Sequence, residues 1–167
     1  MMVTPHMLAG AALGRILRRP WLAYPAAFAS HLVLDIVPHL DTHGMFGRLG
    51  GPPTRMEAAV GVSDFVVGAL LVGLLAARQR SRRVVLTAAL LAVIIDLVEY
   101  VPPVGPWFRQ WPAAAGWVHF HHAIQHNLTV AQWPLGMATQ AAVMAMAMAV
   151  LRVRGTGSRA AGAQPVW

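Results

Sequence analysis

Residues 30–44 read SHLVLDIVPHLDTHG and place three histidines and two aspartates, His31, Asp35, His39, Asp41 and His43, at the end of an otherwise apolar segment. On a helix, His31 and Asp35 stand four apart and share a face. Ionisable groups in an apolar segment are costly unless they are paired, solvated or bound to a metal. The fold must therefore give these groups something to face.

The rest of the chain is apolar in the same way. Of 167 residues 57% are hydrophobic and only 11% charged, against roughly 25% charged in an average soluble domain. This predicts a single all-α domain, an integral membrane helical bundle. The net charge of +7 does not point to nucleic acid, because the arginines sit in the short connections between apolar segments, where the positive-inside rule puts them. There are no cysteines, which excludes disulfides and thiolate metal sites and leaves His, Asp and Glu as metal donors. Such donors suit zinc, manganese, iron or nickel. No basic residue precedes the first apolar run, so the chain does not open like a cleaved signal peptide.

About five membrane segments are expected. The first, 4–17, has Thr4 as N-cap, Pro5 at the first helical position and His6 in the first turn, with Gly10 and Gly14 forming a close-packing face. The second, 21–37, carries His31 and Asp35 and is stopped by Pro38; a polar loop over 39–54 follows. The third, 55–77, spans roughly 33 Å, with Glu57 in its first turn and Asp64 about two turns deeper. The fourth, 84–101, has Asp96 and Glu99 at its far end. A Trp-bearing loop and a short outer-face helix over 117–127, WVHFHHAIQHN, lead to the fifth segment, 133–153. Residues 1–154 form the bundle, and the small polar tail, 155–167, reads as disordered and cytoplasmic.

Threading these segments alternately puts all three arginine clusters on one side, the cytoplasm. The N-terminus then lies outside, and every one of the 6 acidic residues and 8 histidines collects at the outer face. A weak internal echo aligns HLVLDIVPH (31–39) with AVIIDLVEY (92–100), matching Asp35 to Asp96. Two pairs at helical spacing, His31 with Asp35 and His122 with His126, resemble the two-donor faces of helical metal sites. Asp96 and Glu99 form a carboxylate pair, and His6 and Asp64 can complete the shell. His39, Asp41, His43 and His119 are placed at the rim or in outer support. The plain alternative is a set of polar side chains that lock helices together. If the site is catalytic, Glu99 or a spare histidine such as His121 is the expected general base.

At these residues the chain resembles the YdjM-like family of small inner-membrane metal-dependent hydrolases. The resemblance rests on TPHMLAGAALG with His6, LVLDIVPHLD with Asp35 and Asp41, and HHAIQHN with His122 and His126, and it covers roughly residues 3–150. The ligand pattern is similar to that of helical zinc phospholipase C and nuclease proteins. That similarity implies His6, His31, Asp35, Asp64, Asp96, His122 and His126 as ligands to one or two divalent ions, zinc first. It implies hydrolysis of a phosphoester, with a lipid or lipid-linked substrate reaching the site from the bilayer of a bacterial-type inner membrane. A non-enzymatic metal-binding or metal-transport protein is the alternative.

Overall fold

The computed structural model describes residues 1–47, 53–101 and 103–153; the expected tail, 155–167, lies outside them. The described residues are helical, with a single isolated bridge between His39 and Asn127 in place of any strand. The helices are α1 (Val3–Leu17), α2 (Pro20–Ile36), α3 (Thr42–Met45), α4 (Arg55–Ala76), α5 (Arg82–Leu91), α6 (Ile94–Tyr100), α7 (Val104–Phe108), α8 (Pro112–Ile124) and α9 (Trp133–Arg152).

Helix α1 is the axis of the bundle and packs against α2, α4, α5 and α9. Its small residues set how closely α5 approaches. A β-carbon on Gly10 would stand 2.5 Å from Ala92 Cβ and 2.6 Å from the Ala88 carbonyl, and one on Gly14 would stand 2.9 Å from Ala88 Cβ. The expected close-packing face is therefore present, glycine against alanine. Around it Met7, Leu8, Ala11, Val72, Val85, Ala89, Val93 and Leu151 form the main apolar core. Small residues at such a contact let two helix backbones approach closely.

Two stretches, Arg55–Ala76 and Val130–Arg152, are long and apolar enough to cross a membrane. Only 11% and 22% of their apolar windows is buried, so both present apolar side chains outward, as core helices of a soluble protein do not. On α4 the outward set includes Val62, Leu70 and Leu74. The other expected segments fall short of that length. Helices α1 and α2 have 15 and 17 residues, and the fourth segment is divided. It breaks at Ala92–Val93, where Val93 leaves helical geometry (φ −127°, ψ 3°), giving α5 and α6. Neither Gly nor Pro marks this break; the Ala92 carbonyl there accepts a hydrogen bond from His31 Nδ1 at 2.8 Å.

Contacts fix which helix ends lie together. The Arg15 guanidinium donates to the Val153 carbonyl, and Gln79 Nε2 donates to the Leu151 carbonyl at 2.8 Å. The end of α1, the α4–α5 turn and the end of α9, each carrying arginines, thus share one end of the bundle. The first turn of α1, the end of α2, the start of α4 and α6 are at the other. Helix α4 begins with a capping box, in which the Thr54 side chain accepts from Glu57 N and Glu57 reaches back to Thr54 N.

Overpacking the α1–α5 contact tests this arrangement. Gly10→Val is expected to destabilise the protein by about 1–3 kcal/mol, read as a lower unfolding midpoint in detergent, whereas Gly73→Ala, with nothing within 4 Å of the added carbon, is expected to leave it unchanged or raise it.

Candidate metal centre

Pro38 stops α2 and holds Val37 in extended geometry (φ −69°, ψ 133°). The following residues zip to the segment that leaves α8: His126 N donates to Asp35 O (2.8 Å), His39 N to His126 O (3.1 Å) and Leu128 N to His39 O (2.7 Å). This short backbone ladder lays the end of α8 against the end of α2. It brings His121 beside His31 and Asp35 although they are far apart in sequence.

The Asp35 carboxylate is the centre. Its Oδ1 lies 3.1 Å from His6 Nε2 and 2.8 Å from the Met1 backbone nitrogen. Its Oδ2 lies 3.2 Å from His31 Nε2 and 3.1 Å from His121 Nε2. Asp96 Oδ1 is 3.5 Å from His31 Nε2. His6, His31, Asp35 and His121 are buried, with the His6 and His31 rings stacked at 4.2 Å between centroids.

The outer nitrogens of two histidines set their tautomers. His31 Nδ1 faces the Ala92 carbonyl at 2.8 Å, and His121 Nδ1 faces Glu99 Oε1 at 2.8 Å. Each partner accepts, so each Nδ1 carries the hydrogen and each neutral ring turns its Nε2 lone pair inward. The two Nε2 atoms are 3.1 Å apart, and both look at Asp35 Oδ2. Three acceptors facing one another need a proton or a metal cation between them. Their separations match the edge of a tetrahedron of donors with bonds of 2.0–2.1 Å, roughly 3.3 Å. The donors fall into overlapping groups able to hold an ion: His6, His31 and Asp35; His31, Asp96 and His121; and Glu99, His121 and His122. His6 Nδ1 is buried with no partner, as is His39 Nε2, whose ring donates from Nδ1 to the Val37 carbonyl at 2.8 Å.

Burial disfavours a charged ring at His121, but the hydrogen bonds it donates to the Asp35 and Glu99 carboxylates outweigh it and raise the group to about 9. Burial keeps His39 below the usual histidine range.

Of the residues expected to bind metal, the structure brings together His6, His31, Asp35 and Asp96. His121, expected as a base, stands among these donors. Glu99, the other expected base, is buried and uses both oxygens on histidines, Oε1 on His121 and Oε2 on His122 Nε2 at 2.9 Å. His122 is 47% exposed and also meets the Tyr100 hydroxyl at 3.2 Å. His126 contributes through its backbone; α8 ends at Ile124, so His122 and His126 do not share a helix face. Asp64 caps α1, its Oδ2 accepting from Thr4 N at 3.0 Å and its carbonyl from Thr4 Oγ1 at 2.8 Å. Asp41 caps α3 by accepting from Gly44 N at 2.6 Å, and His43 Nδ1 meets Glu57 Oε1 at 3.1 Å. His119 is exposed. No sequence signal distinguished His121 from His122 as the inward residue, because the choice depends on where α8 stops.

Beside the cluster is a cavity of about 570 Å³ lined mainly by apolar side chains from the start of α1, from α4 and from α6, with Asp41, His43, Glu57, Asp64, Asp96 and Gln125 also on its wall. Compared with known proteins, the chain matches no family model, no curated protein and no solved structure.

The raised His121 gives a signed expectation. In metal-free protein its ion pairs contribute stability that is fully present below about 6.5 and is lost as pH rises through about 9. A bound metal requires the neutral ring and removes this dependence. Thermal unfolding from pH 6 to 10 should therefore show a falling midpoint in chelator and a flatter profile in metal-loaded protein.

Proposed function

We propose that the chain is a membrane-embedded hydrolase that depends on a divalent metal, zinc by preference, and cleaves a phosphoester of a lipid or lipid-linked substrate. In this reading about five apolar segments lie in a bacterial-type inner membrane. The arginine-bearing end is cytoplasmic and the His and Asp cluster faces outward, in accord with the positive-inside rule. The observation that carries the reading is the convergence of His31 Nε2, His121 Nε2 and Asp35 Oδ2, with both outer nitrogens held by the Ala92 carbonyl and Glu99. A carbonyl or carboxylate behind each imidazole is how metal-binding histidines are oriented and made more basic.

His31, Asp35 and His121 would hold the ion, with His6 beside them. A bound divalent ion supplies charge stabilisation at a phosphoryl oxygen and activates water. The chain's own residues do the rest. Glu99 holds His121 in its tautomer and acts with it as one unit. Asp96 is 19% exposed and lines the cavity, so among the cluster carboxylates it is placed to accept a proton from a water at the cavity edge. The burial of the other donors strengthens each electrostatic contact.

Transport of the metal is the weaker reading. A carrier needs polar groups along its path, whereas below the cluster the core is Met7, Leu8, Ala11, Val72 and Leu151.

Elemental analysis of protein purified without added metal should find about one or two ions per chain, the capacity of such a donor set. Asp35→Asn is expected to lose that metal. Asp96→Asn should retain most of it while phosphodiesterase turnover falls by roughly 10²–10⁴, the usual range for a lost acid–base group. Protein with no bound metal and stability indifferent to chelator would contradict the proposal.

A further inference from the structure

We infer that the cavity between α4 and α6 is the seat of an apolar chain of a bilayer lipid, entering sideways from the membrane, with the lipid's head at Asp96. The seat of the chain stands on the cavity alone; the placement of the head rests on the proposed metal site, and what happens to it on the hydrolase reading. The cavity, about 570 Å³, is within the usual range for small-molecule sites of 300–1,000 Å³. Gly61, Phe65 and Leu97 line it, and a β-carbon on Gly61 would meet nothing within 4 Å. Val62 and Val101, also on its wall, are 64% and 45% exposed. Val62 belongs to the outward face of α4, one of the two stretches fit to cross a membrane, and Val101 follows the end of α6. The cavity therefore opens where lipid chains would lie.

Its polar groups give direction. Three of the carboxylates on its wall already accept backbone hydrogen bonds at helix starts: Asp41 from Gly44 N, Glu57 from Thr54 N and Asp64 from Thr4 N. Asp96 is different. Its contact is with His31 of the cluster, and Gln125, on the same wall, stands 3.5 Å from His121 Nε2. A molecule filling the cavity thus has hydrocarbon along α4 and α6 and meets the metal-binding donors at one end. An amphiphile with a phosphate head would fit once the cluster held a cation to offset the carboxylates there. A fully polar substrate would leave the Gly61–Phe65–Leu97 wall in contact with water.

The test uses the full chain in phosphatidylcholine nanodiscs doped with a phosphatidic acid bearing a diazirine near its acyl terminus. After irradiation, adducts should concentrate on Gly61, Phe65 and Leu97. Gly61→Leu and Gly61→Trp should lower adducts at Phe65 and Leu97 in graded fashion, roughly tenfold or more for Trp, as lost space in an apolar pocket implies. Labelling at Leu70 and Leu74, on the outer face, should stay constant and so report intact folding. Labels spread along α4 without enrichment at the cavity, or enrichment indifferent to both variants, would overturn the inference. Cavity labelling that persists in protein lacking metal and turnover would support it while sinking the hydrolase reading.

Discussion

A buried carboxylate with imidazole nitrogens on both oxygens is the interaction on which the arrangement depends. Asp35 is 1% exposed, and an uncompensated charge there would cost several kcal/mol. His6, His31 and His121 reach it from α1, α2 and α8, and each is placed by a local device. His6 occupies the first turn of α1, which Asp64 caps; His31 is steadied by the Ala92 carbonyl at a helix break; His121 is steadied by Glu99. Removing Asp35 would leave these nitrogens facing one another with nothing between them.

The rest of the bundle serves this geometry. The glycine–alanine contact between α1 and α5 brings the two backbones close, which places Ala92 within reach of His31. The backbone ladder after Pro38 does the same for α8. Apolar packing below the cluster leaves few alternatives for the polar groups except each other. The result is a polar cap on an otherwise apolar bundle, with an apolar cavity at its flank.

Much of this was legible in the sequence, and the reasons differ by element. Prolines announced the ends of α1 and α2, and length with apolarity marked α4 and α9. His6, His31, Asp35 and Asp96 were readable because each stands near one end of an apolar run. The break at Ala92–Val93 was not readable: AVII carries no breaker, and the carbonyl partner lies 61 residues away. The i, i+4 rule applied to HHAIQH selected His122 and His126, but it presumes a helix through residue 126. The extended ladder ends α8 at Ile124, and His121 then faces inward. Asp64 was legible as an ionisable residue on an apolar helix, but its local bonding to Thr4 depends on how α1 packs on α4.

X-ray absorption at the metal edge tests the central claim most directly, with the ion native to the purified protein or zinc if it is supplied. The account predicts a first shell of nitrogen and oxygen at about 2.0–2.1 Å with imidazole scattering. That scattering should diminish in His31→Ala and His121→Ala and persist in His126→Ala. A shell without imidazole, or one that His126→Ala abolishes and His121→Ala leaves intact, would contradict it.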